Sequence, residues 1–354
     1  MRAKPSNRLW KKIGIAAAAV FGVLLAGTAV YTGYLANKAS DAIGQISAAP
    51  ATGTPIAEPS EPQEREKPLL FLVAGVDNRE GGGGSMNTDV LMLVALDRND
   101  RAATVVSLPR DLRLKPPGMS SQKANYYYAY YYNKDRDSAI ANTKSFFGDL
   151  LHLPIDYMAV IDFDGFRKLV DALGGLQIDV DMDMRYVDEE DGTNINLKKG
   201  LQQLSGKQTL DFVRYRKSNM GTAESSDIAR NDRQHQVVEK LLDKLTSLGG
   251  ITQWGTVLDI AGKSVKTDVP ESVLRGWIMQ LNKLKPEQIE FVPLEGKWDS
   301  PYIVPKEETM RTALDALRAR LGLAPSDDSL RLSDAIALES AESTTVTKDT
   351  YQRR

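Results

Sequence analysis

The feature that most restricts this chain is a run of 23 residues, Ile13–Leu35, without a single charged side chain. At 1.5 Å per residue a helix of that length rises about 34 Å, enough to cross about 30 Å of bilayer hydrocarbon. Arg2, Lys4, Arg8, Lys11 and Lys12 precede it with no acid among them, and basic flanks stay on the cytoplasmic side. Tyr31 and Tyr34 near the far end suit an interfacial aromatic belt. Ala-rich runs also occur in cleaved secretory signals, but those have apolar cores of about 7–15 residues. The longer run is therefore read as an uncleaved single-pass anchor. The expectation is a cell-membrane protein with its N-terminus cytoplasmic and everything after Leu35 extracytoplasmic.

Composition then narrows the rest. At roughly 150 residues per domain, 354 residues allow about two domains. Charge is nearly balanced, 45 basic against 47 acidic residues, so no global basic field marks a nucleic-acid binder. The absence of Cys excludes disulfides, thiolate zinc sites and Cys nucleophiles. Two His, His152 and His235, exclude a multi-His metal site. Residues 36–68 are rich in Ala, Ser, Pro and Glu and read as a stalk, and the tail from residue 324 reads as disordered apart from a short helix near Leu332–Leu338. One folded domain remains, residues 69–323.

Within it, strand and helix patterns alternate. Leu69–Val76 is a continuous apolar run, as expected for a strand covered on both faces. Val90–Leu96 and Ala103–Leu108 are two more, joined by a short polar turn that predicts an antiparallel hairpin. Helices are expected at Ser138–Leu151, at Asp164–Leu173 ended by Gly174-Gly175, at Asp232–Leu245, near Glu271–Leu284 and at Glu307–Leu321. Further strands are expected at Leu176–Val180, Leu210–Tyr215 and Ile289–Pro293. The pattern predicts an α/β fold, a mixed central sheet flanked by helices in an α/β/α sandwich.

This topology gathers charge. Asp77 follows the end of the first strand, Asp89 precedes the second, and Arg110 follows the third, so all three fall at one sheet edge, where ligands of open α/β sheets bind. Two carboxylates with an Arg suit a hard divalent cation, magnesium, shared with a phosphate; a surface salt-bridge cluster is the alternative. On the expected strand, Arg214 and Arg216 point to one side, an arrangement favourable around a phosphate or pyrophosphate, against the alternative of a solvated pair. Asp227, Arg230 and Gln234 lie at or near a helix N-terminus, also suited to anions.

Other signals carry less. Gly81–Gly84 matches no phosphate loop, and Gly262-Lys263-Ser264 lacks the upstream Gly of one. The Tyr126–Tyr132 cluster reads as packing rather than as the lining of a groove, and His235 as structural.

The segments that carry these residues resemble the LytR–CpsA–Psr family of cell-envelope phosphotransferases. They are Ala74–Arg79, Thr88–Leu93, Ser107–Asp111, Lys123–Asn125, Val170–Gly175, Leu210–Arg216 and Asp227–Gln234, seven motifs in family order over about residues 69–245. The resemblance implies that Asp77 and Asp89 bind magnesium (manganese being possible). It also implies that Arg110, Lys123, Arg214, Arg216 and Gln234 bind pyrophosphate, with Arg110, Asp111, Arg214, Arg216 and Gln234 serving catalysis. Asp227 and Arg230 match positions counted in the site. Asn87 stands where the family commonly has Arg, so that either another basic residue, Arg79, supplies that charge or phosphate binding is weaker here.

The implied reaction moves a glycopolymer from a polyprenyl-pyrophosphate carrier to a muramic-acid hydroxyl of peptidoglycan, at the outer face of the bacterial cytoplasmic membrane. The alternatives are a lipid-pyrophosphate hydrolase and a non-catalytic envelope regulator that binds prenyl lipids. No general base stands out, although Asp77 and Asp111 are candidates, and no nucleic-acid partner is expected.

Overall fold

The computed structural model describes residues 37–47, 66–77, 86–116, 118–189, 192–225, 227–246, 254–280, 284–326 and 336. The basic tip, the apolar run Ile13–Leu35, Arg79 and most of the tail lie outside these. Among the described residues no helix is long and apolar enough to cross a membrane.

A six-stranded mixed sheet forms the centre. Its strands are β1 (Leu69–Val76), β2 (Thr88–Asp97), β3 (Ala102–Ser107), β6 (Tyr157–Asp162), β11 (Val265–Thr267) and β12 (Gln288–Val292), in the order β11-β6-β1-β2-β3-β12. The expected hairpin is present, with Leu93 opposite Val106 and Leu96 opposite Ala103. Strand β1 runs antiparallel to β2 and parallel to β6, and β12 runs parallel to β3. Since β2 is antiparallel to both neighbours, β1 and β3 end at the same edge. A two-residue ladder, β4 (Arg113–Leu114) with β5 (Gln122–Lys123), adjoins that edge.

One face of the sheet carries α2 (Tyr126–Lys134), α3 (Ala139–Leu151) and a last helix, α9 (Glu307–Arg320). Their apolar sides meet Leu70, Leu72, Leu91 and Leu93 in one core. The Tyr-rich segment belongs to this core, with Tyr127 fully buried and stacked on Phe146 at 4.0 Å, so it packs as expected.

The opposite face carries α4 (Phe163–Ala172), α5 (Gly206–Arg214), α6 (Asp227–Thr246), α7 (Trp254–Ser264) and α8 (Glu271–Met279). Three short ladders complete the fold, β7 (Leu176–Val180) with β10 (Gly200–Leu204), β8 (Met184–Asp188) with β9 (Thr193–Leu197), and β13 (Gly296–Asp299) with β14 (Tyr302–Pro305). A second core joins α4, α5, α6 and the first two ladders around Val170, Ile178, Leu204 and Phe212. Within the stretch expected to be a stalk, residues 37–46 form α1, which seats Ala42, Ile43 and Ile46 in the fold. Gly262 admits this helix, since a Cβ there would stand 3.1 Å from the Ala42 Cα.

One element expected as a strand is a helix. Leu210–Tyr215, read as a strand, lies in and just after α5. Ser205 caps this helix in a reciprocal box with Gln208, which satisfies two orphan backbone donors. Thr209, Leu210, Phe212 and Val213 then fall on one buried helical face. The N-terminus of α5 crosses α4 so closely that a Cβ on Gly206 would stand 2.0 Å from the Arg167 carbonyl oxygen. Glycine at 206 thus fixes where α5 runs and where its C-terminal arginine emerges.

Candidate functional site

The sheet edge at the ends of β1 and β3 opens into a cavity of about 330 Å³. Loops do the placing. The backbone of Arg110 accepts from Asn125 N–H at 3.0 Å, and Leu112 carbonyl accepts from Ala124 N–H at 2.9 Å. These bonds tie the segment after β3 to the β5 region and hold Arg110, Asp111 and Lys123 side by side.

Asp111 is the hinge of the charge network. It is 2% exposed, yet Lys123 Nζ lies 2.8 Å from it, Arg216 Nη1 3.4 Å and Arg110 Nε 3.6 Å. Burial alone would raise its pKa; the hydrogen bond from Lys123 and the charges of Arg110, Lys123 and Arg216 outweigh that and hold the carboxyl below its ordinary range. Asp111 is therefore an ionised anchor that aims three cations.

The metal-candidate pair is close together. Arg214 reaches Asp77 at 4.0 Å and Asp89 at 3.7 Å, and Arg110 donates to Asp89 at 2.7 Å. One guanidinium thus faces both carboxylates. Their donor set, two carboxylates beside a phosphate-sized opening, fits magnesium, which keeps waters and takes one or two carboxylates plus substrate oxygens.

Arg214 and Arg216 converge on the cavity, although not through strand alternation. Arg214 is the last residue of α5, and Tyr215 breaks into extended backbone at φ -58°, ψ 125°. Arg233 fixes this corner from beneath. It is 2% exposed, forms a two-pronged pair with Asp181 at 2.8 and 2.7 Å, and donates to the Tyr215 carbonyl at 3.3 Å. Arg230 and Gln234 line the cavity from α6, where Gln234 accepts from the Ser107 hydroxyl at 3.2 Å.

Counting charge decides what the cavity can hold. Arg110, Arg214, Arg216, Lys217 and Arg230 line it, against Asp89 and Asp211. Adding the adjacent Lys123, Asp77 and Asp111 still leaves six cations against four acids. Such a surplus in a partly buried cleft favours a multiply charged anion. Val90, Leu91, Leu108, Ile195, Val213 and Leu294 supply an apolar wall beside the charges.

Of the expected residues, Asp77, Asp89, Arg110, Asp111, Lys123, Arg214, Arg216, Arg230 and Gln234 meet at this edge. Arg79 and the Asp227 side chain lie outside the described residues. Sequence reasoning passed over Asp211, nearly one helical turn before Arg214, whose pKa is raised by burial in spite of Lys207 at 2.7 Å and the charges of Arg214 and Arg167. It also passed over Tyr186, Thr193 and Ile195, which the β8–β9 ladder carries to the cavity. His235 stays outside the cavity lining, its ring stacked on Phe291 at 3.5 Å.

Known proteins align with this arrangement. Teichoic acid transferase TagV of Bacillus subtilis is 29% identical over 206 residues, 58% of this chain and 51% of that protein, so the match spans about half its length. TagU of Bacillus anthracis, named a polyisoprenyl-teichoic acid–peptidoglycan teichoic acid transferase, is 29% identical over 262 residues, 74% of this chain and 80% of its own. A solved structure of YwtF (TagT), described with bound octaprenyl pyrophosphate lipid, superposes at a TM-score of 0.52 with 20% identity, covering 78% of this chain and 99% of its own. The sequence model of the LytR_cpsA_psr family matches residues 32–318, a span that holds the whole sheet and every charged residue gathered at its edge, and the chain belongs to that family.

Proposed function

We propose that the chain transfers a phosphate-linked glycopolymer from a polyprenyl-pyrophosphate carrier to peptidoglycan, on the outer face of the bacterial membrane to which Ile13–Leu35 anchors it. The observation that carries this is the convergence of Arg110, Arg214 and Arg216 on one cavity, with an excess of cations over acids and an apolar wall alongside. A pyrophosphate needs the first feature and a prenyl tail the second. The relatives named as teichoic acid transferases support the same reading.

In the reaction, a muramic-acid hydroxyl oxygen attacks the sugar-side phosphorus. A new P–O bond forms, the bond to the bridging oxygen breaks, and polyprenyl phosphate leaves with that electron pair while the hydroxyl proton passes to a base or solvent. Arg110, Arg214 and Arg216 hold the pyrophosphate oxygens and stabilise charge that grows on them. Asp111 and Lys123 keep Arg110 and Arg216 aimed, so no reorganisation is needed as the bond breaks. Gln234, oriented by Ser107, and Arg230 contribute further donors. Asp77 and Asp89 would hold a magnesium ion, which when bound offsets negative charge on the pyrophosphate. Asp211, with its raised pKa, suits proton acceptance better than Asp111, which three cations hold ionised.

The test is turnover of polyprenyl-pyrophosphate-linked glycopolymer with and without peptidoglycan. Transfer predicts release of polyprenyl phosphate that depends on the acceptor, with the polymer recovered on the wall. Equal release with water alone would instead make the protein a hydrolase, and binding without release a lipid-sensing regulator.

A further inference from the structure

The β13–β14 ladder plays no part in the charge cluster, yet it is pinned to it. Ile303 N–H donates to the Asp111 carbonyl at 2.8 Å, the Tyr302 hydroxyl donates to the Ser121 carbonyl at 3.1 Å, and the Arg113 guanidinium lies 5.4 Å from the Tyr302 ring centre. Ile303 is buried, and Gly296 approaches it so closely that a Cβ would stand 2.7 Å from the Ile303 side chain. The register then sets Trp298 opposite Ile303. Its ring centre lies 5.6 Å from the Arg216 guanidinium, and the residue is 52% exposed. Among the described residues it is the one aromatic among the large side chains left so exposed.

We propose that Trp298 is a carbohydrate-stacking platform at the mouth of the phosphate cavity, taking the face of a pyranose ring next to the reacting phosphorus. A pyranose presents a face of C–H groups with hydroxyls around its rim, so it packs on an indole while its polar groups stay wet. Exposing a tryptophan costs free energy that a purely structural contact with Arg216 would avoid by burying it. The held position fits a fixed surface rather than a mobile side chain. The inference rests on the reading that Arg216 grips a sugar-bearing pyrophosphate. The ring it takes belongs either to the carrier-linked polymer or to the peptidoglycan strand, since both meet at that phosphorus.

The experiment measures binding of three probes to the full chain, its Trp298→Ala variant and its Trp298→Phe variant. The probes are a short polyprenyl pyrophosphate, the same lipid bearing its first sugar, and a soluble peptidoglycan glycan tetrasaccharide. Trp298→Ala should weaken at least one sugar-bearing probe about tenfold and leave the sugar-free lipid within about twofold, with Trp298→Phe recovering most of the loss. A loss on the sugar-bearing lipid assigns the platform to the donor, and one on the tetrasaccharide to the acceptor. An equal loss on the sugar-free lipid, or no loss on any probe, would overturn the proposal. If the wild type binds the tetrasaccharide through Trp298 but neither lipid, the lipid-carrier reading fails while the platform stands.

Discussion

At the scale of single residues, Asp111 shows how a buried charge can serve a site without touching its ligand. Three cations surround it and are ordered by it. Asp111→Asn keeps the shape but removes the charge, leaving Arg110, Lys123 and Arg216 without their common counter-ion. The expected outcome is a loss of about 2 kcal/mol of stability, measured by urea unfolding, with pyrophosphate affinity also reduced. An unchanged midpoint would mean that the Asp111 charge adds no net stability. Asp89 tests the metal. Asp89→Ala should abolish transfer and the magnesium dependence of lipid binding, while the fold survives because the side chain sits at a strand end and opens no core cavity. Normal turnover in that variant would refute the assignment. Asp77, Asp89 and Arg110 were legible in the sequence because strand ends and a short hairpin turn fix which residues share an edge. Trp298 was not, since a lone aromatic in a polar stretch carries no periodicity to betray its use.

At the scale of elements, α5 is where sequence and structure part. Leu210–Tyr215 alternates apolar and polar enough to pass for a strand, but the deciding signal lay upstream, in Ser205 and Gln208, whose spacing is that of a capping box. The two arginines still converge, because the helix ends at Arg214 and extended backbone carries Arg216 onward. Arg233 beneath this corner is a buried cation paired with Asp181. Arg233→Ala should cost about 3 kcal/mol or more, since it strands the Tyr215 carbonyl and unpacks two aromatic rings. Loss below about 1 kcal/mol in calorimetry would show that α6 does not brace the corner. Helix α6 is also held on β12 by the stack of His235 on Phe291. Burial pushes His235 down from 6.5 to about 4, only partly opposed by Asp232. With the folded value below the unfolded one, the unfolded chain takes up the proton first as pH falls. The contribution of neutral His235 to stability is therefore fully present above about pH 6.5 and lost between there and about pH 4. Against His235→Gln, the wild-type melting temperature should fall more steeply over that window, and parallel curves would exclude the effect.

At the scale of the molecule, one sheet separates a packed apolar core on its α2, α3 and α9 face from a second face whose helices bring cations to the strand ends. The alternation of strands and helices made the first face readable. Among the short ladders, β7 was readable at Leu176–Val180 from its apolar alternation, whereas β8, β9 and β10 were harder, because they draw their stability from the second core rather than from their own pattern. What unites the molecule is an edge where cations outnumber acids beside an apolar wall. The direct test is calorimetric titration of a short polyprenyl pyrophosphate into the wild type, Arg214→Ala and Arg214→Lys. Charge-assisted hydrogen bonds of roughly 1.5–3 kcal/mol predict a loss of about one to two orders of magnitude for Arg214→Ala. Arg214→Lys should recover only part of it, since the planar fork is gone. Melting temperatures should stay close to that of the wild type, because the ion pairs of Arg214 are partly exposed and long. Equal affinities across the three proteins would contradict the account.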